Sequence, residues 1–361
     1  MSRILVAMSG GVDSSVVAYL LKEEGHEVVG VTMKLYENDL VGKKNSHTCC
    51  SLDDIDDARM VAYKLGIDYY VYDFSAEFED KVVEKFVSAY EAGLTPNPCI
   101  DCNRHLKFSS LYDRAKELDC DYIATGHYAQ IIFDSEKERY VLKKGLDDKK
   151  DQSYVLYSMT QEQLAHTLLP LGGMDKSKVR QIAEEAGLVN AKKHDSQDIC
   201  FVPDGDYKAF LERYTNKTYE EGQILNKKGQ VLGKHSGAVG YTIGQRKGLG
   251  LACGHPVYVT KKDMAKNQVT VGPEEELFSK GLYANDWTWV SIEEPQDKLQ
   301  VMARTRYHQK ETPGILNIEK DGRIKISFLE PKRAVTTGQA VVVYNGDILL
   351  GGGTIIEIIE K

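Results

Sequence analysis

A short apolar run that stops at two glycines and resumes as a helix constrains this chain more than any other feature. Ile4-Leu5-Val6-Ala7-Met8 has the length and composition of a buried strand. Ser9-Gly10-Gly11-Val12-Asp13-Ser14-Ser15 follows it, and Val12, Val16, Val17, Leu20 and Leu21 then recur at helical spacing as far as Gly25, a C-cap candidate. The unit is strand, glycine turn, helix. Adjacent glycines admit positive φ and let the backbone approach a ligand with no Cβ in the way. The N–H groups of the first helical turn, together with the helix dipole, favour an anion there. Ser9, Ser14 and Ser15 add hydroxyl donors. The stretch reads as a phosphate site.

It is not a site of the kinase type. A Walker loop carries a lysine that reaches the outer phosphates, and no lysine lies between Met1 and Lys22. A carboxylate, Asp13, stands beside the expected anion instead. On one reading Asp13 and Ser14 are ordinary first-turn residues that stabilise a helix. On the other, Asp13 holds a magnesium ion that screens it from the phosphates. The run Ser9-Gly10-Gly11-Val12-Asp13-Ser14 resembles the S-G-G-x-D-S signature of the pyrophosphate-loop ATPases. That resemblance implies ATP as substrate and cleavage between its α and β phosphates, with pyrophosphate leaving and AMP going onto the acceptor.

At 361 residues, the chain is too long for one small core, and two or three domains are expected. Its 42% hydrophobic and 28% charged residues are an ordinary balance for a globular protein. No apolar run approaches a membrane span, and no basic-then-apolar leader precedes Ile4. Seven cysteines, an odd number, suit reduced thiols in the cytoplasm better than a disulfide framework. A net charge of −8 runs against nucleic-acid binding by the chain as a whole, so such a role would rest on local basic patches.

Further along, His26 to Met33 reads as a second strand and Asn38 to Ser51 as a polar, mobile loop. Leu52 to Leu65 reads as a helix closed by Gly66, Asp68 to Phe74 as a third strand, and Ser75 as the cap of a helix through Tyr90. A loop from Gly93 to Asn103 precedes another helix, to about Leu118, and a strand from Asp121 to Thr125. Such alternation implies a parallel, doubly wound sheet whose ligands sit off the carboxyl ends of its strands. Beyond about Asp204 glycines multiply, and a hairpin is expected over 257–271. From about Gly281 the pattern is all-β, with Asp321-Gly322 and Asn345-Gly346 between alternating runs as strong hairpin signals. The expected architecture is a nucleotide-binding α/β domain over 1–205, a small central α+β domain over 206–277 and a C-terminal β-barrel over 278–361.

Cys99 and Cys102 lie in Thr95-Pro96-Asn97-Pro98-Cys99-Ile100-Asp101-Cys102-Asn103, a loop stiffened by its prolines. Cys102 is expected just before a helix, with Arg104, His105 and Lys107 nearby, and both features favour a thiolate. Cys200 lies in Ser196-Gln197-Asp198-Ile199-Cys200-Phe201, where Asp195 and Asp198 disfavour one. A zinc site needs a second C-x-x-C pair, and Cys49-Cys50 are adjacent. Cys120 and Cys253 read as small apolar residues. For Cys102 and Cys200 a redox or sulfur-carrying role is preferred.

These motifs, with Ala124-Thr125-Gly126-His127-Tyr128, Lys150-Asp151-Gln152-Ser153 and Gly240-Tyr241-Thr242-Ile243-Gly244-Gln245-Arg246, together resemble the bacterial tRNA 2-thiouridylases of the MnmA type. The resemblance runs from Ser9 to beyond Gln339. It implies an adenine nucleotide alpha-hydrolase-like fold and a sulfurtransferase that thiolates the wobble uridine of tRNA at C2. It implies Cys102 as nucleophile and Cys200 as persulfide carrier, loaded by a cysteine desulfurase or a sulfur relay protein. It implies that Ala7, Met8, Ser9, Gly10, Gly11, Val12, Asp13, Ser14, Met33 and Gly126 bind ATP, and that Asn97, Pro98 and Cys99 touch the target base. It assigns tRNA contacts to His127, Lys150, Asp151, Gln152, Arg306, Tyr307 and Gln339. One departure is Cys99, where many members have aspartate; Asp101 is a candidate replacement. Alternatively Cys99, Cys102 and Cys200 would form a three-thiolate set for an iron–sulfur cluster. Another adenylating ligase of the same loop class is a rival enzyme, and a nucleotide-sensing binding module a rival of another kind.

The chemistry explains the combination. A pyrimidine C2 oxygen leaves badly; adenylation makes it part of AMP, and a sulfur nucleophile can then displace it. Exchange between thiols needs thiolate character and access, and an anticodon loop offers its bases already single-stranded. In the C-terminal domain Arg304, Arg306, His308 and Lys310 alternate with other residues, so a strand there would line four basic groups along one face. Lys143-Lys144, Lys149-Lys150, Lys192-Lys193 and Lys332-Arg333 are further candidates for phosphate contacts.

Overall fold

The structure, a computed structural model, describes residues 1–37, 52–194 and 199–360. The expected loop over 38–51, with Cys49 and Cys50, and the residues Asp195 to Asp198 lie outside these segments.

Five parallel strands form the first sheet. Arg3–Ala7 (β1), Glu27–Lys34 (β2), Asp68–Asp73 (β3), Tyr122–Ala124 (β4) and Thr167–Leu168 (β7) lie in the order β3-β2-β1-β4-β7. Strand period two sorts the apolar residues of β1 between two cores. Ile4 and Val6 face Val12–Glu23 (α1), Leu52–Leu65 (α2) and Lys176–Glu185 (α6). Leu5 faces a helix over 75–91 (α3) and another over 98–117 (α4), in a core that also takes in Leu164 of the short helix Gln161–Ala165 (α5). The doubly wound arrangement follows from that alternation.

Two helix starts differ from expectation. Ser75 is already helical; Asp73 Oδ1 accepts its backbone N–H and its hydroxyl. The proline loop ends earlier than expected, because Asn97 caps a helix whose first residue is Pro98. Proline at that position loses no hydrogen bond and has the right φ already. Cys102 therefore begins the second turn rather than preceding the helix, and the segment Cys102–Ser110 is π-helical.

Tyr207–Thr215 (α7) leads to a central sheet. Its strands, Gly222–Asn226 (β8), Val231–His235 (β9), Tyr258–Asp263 (β10) and Gln268–Gly272 (β11), lie in the order β10-β11-β8-β9. The expected hairpin is the β10–β11 pair.

Six further strands, Phe278–Trp289 (β12), Leu299–Arg304 (β13), Thr312–Ile318 (β14), Ile324–Arg333 (β15), Ala340–Asn345 (β16) and Ile348–Glu360 (β17), close on themselves through β12–β17 pairing into an antiparallel barrel. Val341 and Val343 point into it, while Val342 and Tyr344 join the core of the first domain. The barrel sheet also takes in a hairpin from the first half of the chain, Ala129–Asp134 (β5) and Arg139–Lys144 (β6). Leu142 and Lys143 pair with Leu349 and Ile348. The sequence pattern gave no sign of this.

Candidate active site and its surroundings

The glycine turn lies at the carboxyl end of β1. Met8 N–H donates to Val31 O at 2.8 Å and Thr32 Oγ1 to Met8 O at 2.6 Å, which ties the turn to β2. Ser14 Oγ accepts from Ser9 N–H at 3.1 Å and donates to Gly11 O at 3.2 Å. Gly10 has φ +70°, and a Cβ there would lie 2.2 Å from Asp54 O. Glycine at this point is thus demanded by the close approach of α2 as well as by the turn. Gly126, just beyond β4, lies against the start of α1, where a Cβ would meet Asp13 Cβ at 3.0 Å and Ser14 N at 3.1 Å. Gly10, Gly11, Asp13, Ser14 and Gly126 therefore form one cluster. Met33, near the end of β2, is buried in the core on the Leu5 side.

Two lysines reach this turn from more than a hundred residues away: Lys176, which no sequence motif singles out, and Lys193, expected as a tRNA phosphate contact. Lys176 Nζ donates to both Asp13 carboxylate oxygens, at 2.7 and 2.8 Å, and Tyr128 Oη donates to Asp13 Oδ1 at 2.7 Å. Lys193 Nζ donates to Gly10 O at 3.2 Å and to Asp54 at 2.6 Å, and also pairs with Asp57. Burial works against the charge on Lys193, but the bonds to Asp54 and Asp57 outweigh it and raise its pKa. Asn190 Nδ2 donates to Gly10 O and to Ser15 Oγ, both at 2.9 Å. The faint signal was Asp175-Lys176, a helix cap followed by a first-turn residue.

The cysteines are disposed differently from expectation. Cys99 is exposed, in the first turn of α4, where its N–H donates to Asn97 Oδ1 at 3.2 Å. Cys102 is 8% exposed and packs in the core on the Leu5 side. Cys200 is half-buried against that same core, and Tyr36 Oη donates to its carbonyl at 3.0 Å. Asp101 is buried and paired with Lys85, so it is committed elsewhere. Among the described residues no group of three or more His, Cys, Asp or Glu side chains is placed to hold a metal ion. Cys99, Cys102 and Cys200 do not converge into a cluster ligand set here.

The expected basic face is not a strand face. Strand β13 ends at Arg304, and 305–309 is bend and turn. Arg304 pairs with Asp151 and Glu311. Arg306, its pKa lowered by burial, donates to Ile243 O at 2.9 Å and to Thr336 Oγ1. Gln339 Nε2 donates to Thr95 O at 2.9 Å, and Thr95 N–H to Thr337 O at 3.0 Å, so the barrel clasps the loop ahead of Cys99. Burial, then the nearby Asp151 and Cys99, pushes the Tyr307 hydroxyl up to about 12. His127 is buried beside Phe108, with Nδ1 2.7 Å from Thr125 Oγ1; burial, then Lys107, holds its pKa well below the usual value. Gln152 Oε1 accepts from Tyr128 N–H at 3.0 Å, and Lys150 is half-exposed. Of the expected tRNA contacts, then, the His127, Asp151, Gln152, Arg306 and Gln339 side chains bond within the protein.

No helix among the described residues is long and apolar enough to cross a membrane. Three family profiles match in succession: "tRNA methyl transferase HUP domain" over residues 2–204, "tRNA methyl transferase PRC-barrel domain" over 208–273 and "Aminomethyltransferase beta-barrel domain" over 279–355. The chain is 49% identical over 359 residues to the tRNA-specific 2-thiouridylase MnmA of Clostridioides difficile (strain 630), covering 99% of this chain and 98% of that one. It is 48% identical over 353 residues to the tRNA-specific 2-thiouridylase MnmA of Clostridium acetobutylicum, covering 98% and 99%. Among solved structures, a 4-thiouridine synthetase–RNA complex with bound ATP aligns at 17% identity, over 56% of this chain and 45% of that one, with a TM-score of 0.35.

Proposed function

This chain belongs to the tRNA-specific 2-thiouridylase family, and from that premise we propose how its own residues divide the reaction. The enzyme is a sulfurtransferase that uses ATP to thiolate uridine in tRNA. The full-length relatives name that chemistry, whereas the profile descriptions, worded for methyl transfer, match domain by domain. The finer reading is that the target is the wobble uridine, presented by an anticodon loop.

In this reading the turn Ser9–Ser14 and Gly126 would hold the triphosphate, and Asp13 would hold a magnesium ion whose charge would screen the carboxylate from the phosphates. Magnesium commonly uses one or two carboxylates with substrate phosphates and water, so a single carboxylate at this position fits. The uridine O2 attacks the α-phosphorus, the α–β bridging bond breaks, and pyrophosphate leaves with the electron pair. The base is then joined to AMP through O2, its N3 proton passing to solvent. A donor protein loads Cys200 with a persulfide. The terminal sulfur attacks C2 and AMP departs with the oxygen; Cys102 thiolate attacks Cys200 Sγ, freeing the thiolated base and leaving a Cys102–Cys200 disulfide. A thiol reductant restores both cysteines. Because Cys102 is screened in this structure, binding of the base has to open a path to it.

The observation that carries the reading is one chain combining a phosphate turn, closed by Gly126 against Ser14 N, with two thiols in a shared apolar cluster. Two variants test it. Asp13→Ala is expected to abolish tRNA-dependent pyrophosphate release while retaining native circular dichroism, because a partly exposed first-turn carboxylate contributes only about 0.3–1 kcal/mol to a helix. Cys200→Ala is expected to release pyrophosphate but transfer no sulfur. Full thiolation by Cys200→Ala would sink the assignment and favour another adenylating ligase.

A further inference from the structure

The phosphate turn contains no lysine of its own, yet an ammonium group stands at its mouth. Lys176 opens α6, where Asp175 caps the helix by accepting from Lys178 N–H at 2.9 Å. The Lys176 backbone N–H donates to Asp147 Oδ2 at 3.2 Å, which fixes where the side chain starts. The side chain is only 12% exposed, and its Nζ lies 5.8 Å from the centre of the Tyr128 ring. Both Asp13 oxygens accept from it, at 2.7 and 2.8 Å, and Oδ1 also accepts from Tyr128.

This pair does little as a stability device. Asp13 is 30% exposed, and ion pairs with one partner in contact with solvent contribute about 0–1 kcal/mol. Its position is the informative part. Asp13 and Ser14 are the residues that Gly126 leaves room for, at the helix start where an anion is best stabilised. An ammonium held on a long stem at that point has Asp13 as partner while the turn is empty. A polyphosphate entering the turn brings several negative oxygens and competes for it.

We propose that Lys176 is the cation that takes the pyrophosphate side of the nucleotide. This deepens, and rests on, the reading of the turn as the ATP site. When ATP binds, the ammonium passes from Asp13 to the β and γ phosphate oxygens, which frees Asp13. As the α–β bridging bond breaks, its electron pair goes to the departing pyrophosphate, and Lys176 stays protonated and neutralises the new charge. A distant helix thus supplies the lysine that a Walker loop carries within its own sequence.

The test measures binding of inorganic pyrophosphate and of AMP, by calorimetry with magnesium present, to wild type, Lys176→Gln and Lys176→Arg. The Lys176→Gln change is repeated in an Asp13→Asn background. Lys176→Gln is expected to weaken pyrophosphate binding at least tenfold and AMP binding less than threefold, with part of the loss recovered in Lys176→Arg. The loss is expected to persist in the Asp13→Asn background, since a direct contact does not act through Asp13. Wild-type pyrophosphate affinity in Lys176→Gln, or a loss that vanishes in the Asp13→Asn background, would overturn the proposal and leave Lys176 as a support for Asp13. A wild-type enzyme that binds neither AMP nor pyrophosphate would overturn the ATP-site reading together with it. Lys176→Arg keeps the charge, so a folding defect confined to Lys176→Gln would still leave a variant in which a direct contact predicts retained binding and its loss counts against one.

Discussion

Replacing Arg304 by Gln decides whether this guanidinium meets tRNA or holds the barrel to the rest of the chain. Its Nη1 lies 2.8 Å from Asp151 Oδ2 and its Nη2 3.0 Å from Glu311 Oε1, with the Tyr344 ring centre 5.1 Å away. The three charged side chains are 13%, 2% and 13% exposed. Removing one partner of a buried pair costs about 3–5 kcal/mol, because the other charge stays behind unpaired. Here the remaining acids are partly served. Asp151 Oδ1 keeps the N–H groups of Gly145 and Ser153, each at 3.1 Å, and Glu311 keeps Lys144 at 2.8 Å. The lower end, about 3 kcal/mol, is therefore expected. At roughly 2–4 °C per kcal/mol the unfolding transition should fall by about 6–12 °C. The assay pairs a thermal melt with tRNA affinity measured across salt concentrations. A guanidinium on a phosphate would take about 0.7–0.9 from the slope of log affinity against log salt, whereas an internal one should take nothing. Wild-type melting combined with a slope reduced by one phosphate contact would refute the structural account of Arg304.

Three further outcomes are expected. His127 has its folded pKa pushed down by burial, so the folded state binds fewer protons than the unfolded one below about pH 6.5. Its share of stability is intact above that pH and lost as pH falls toward 5, by at most about 1.4 kcal/mol per unit, and a His127→Gln variant should melt with a flatter pH dependence between 7 and 5. In the absence of tRNA, alkylation followed by peptide mapping should, among the five described cysteines, label exposed Cys99 first and Cys102 and Cys120 last, burial also raising the Cys120 pKa; faster labelling at Cys102 than at Cys99 would contradict its burial. Gly10→Ala puts a Cβ against Asp54 O in a left-handed conformation that alone costs about 1–2 kcal/mol, so it should lower both the melting temperature and ATP affinity.

What was legible in the sequence was local. The strand, turn and helix at Ile4 to Leu21, and the hairpins at Asp321-Gly322 and Asn345-Gly346, are set by periodicity and turn chemistry within a dozen residues, and the structure has them where expected. What was not legible joins distant residues. The β5–β6 hairpin enters the barrel by pairing Leu142 with Leu349, and Lys176 and Lys193 reach a turn more than 160 positions earlier. Alternation alone suggested that Arg304 to Lys310 forms one basic face. The chain instead turns after Arg304, and the burial that commits Arg304 and Arg306 to Asp151, Glu311, Ile243 and Thr336 belongs to the packing of the barrel on its neighbours. Asn97-Pro98 is different, because a capping residue followed by proline is a local signal for a helix start, and the structure has one there in place of the expected loop.

That helix start also decides how the cysteines should be weighed. A helix N-terminus favours an anion only across its first turn, and the thiol in that turn is the exposed Cys99 rather than Cys102. Cys102 lies a turn further on, buried, with a half-buried His105 three residues along whose pKa burial lowers, so no imidazolium is maintained there to draw out a thiolate. A cluster would demand that Cys99, Cys102 and Cys200 meet at once. The two-thiol scheme needs only Cys102 and Cys200 to meet, and those two already share one apolar core with Phe201, which packs edge-on against Phe78 and Phe86 next to Cys200. That shared core supports the proposed passage of sulfur between Cys102 and Cys200.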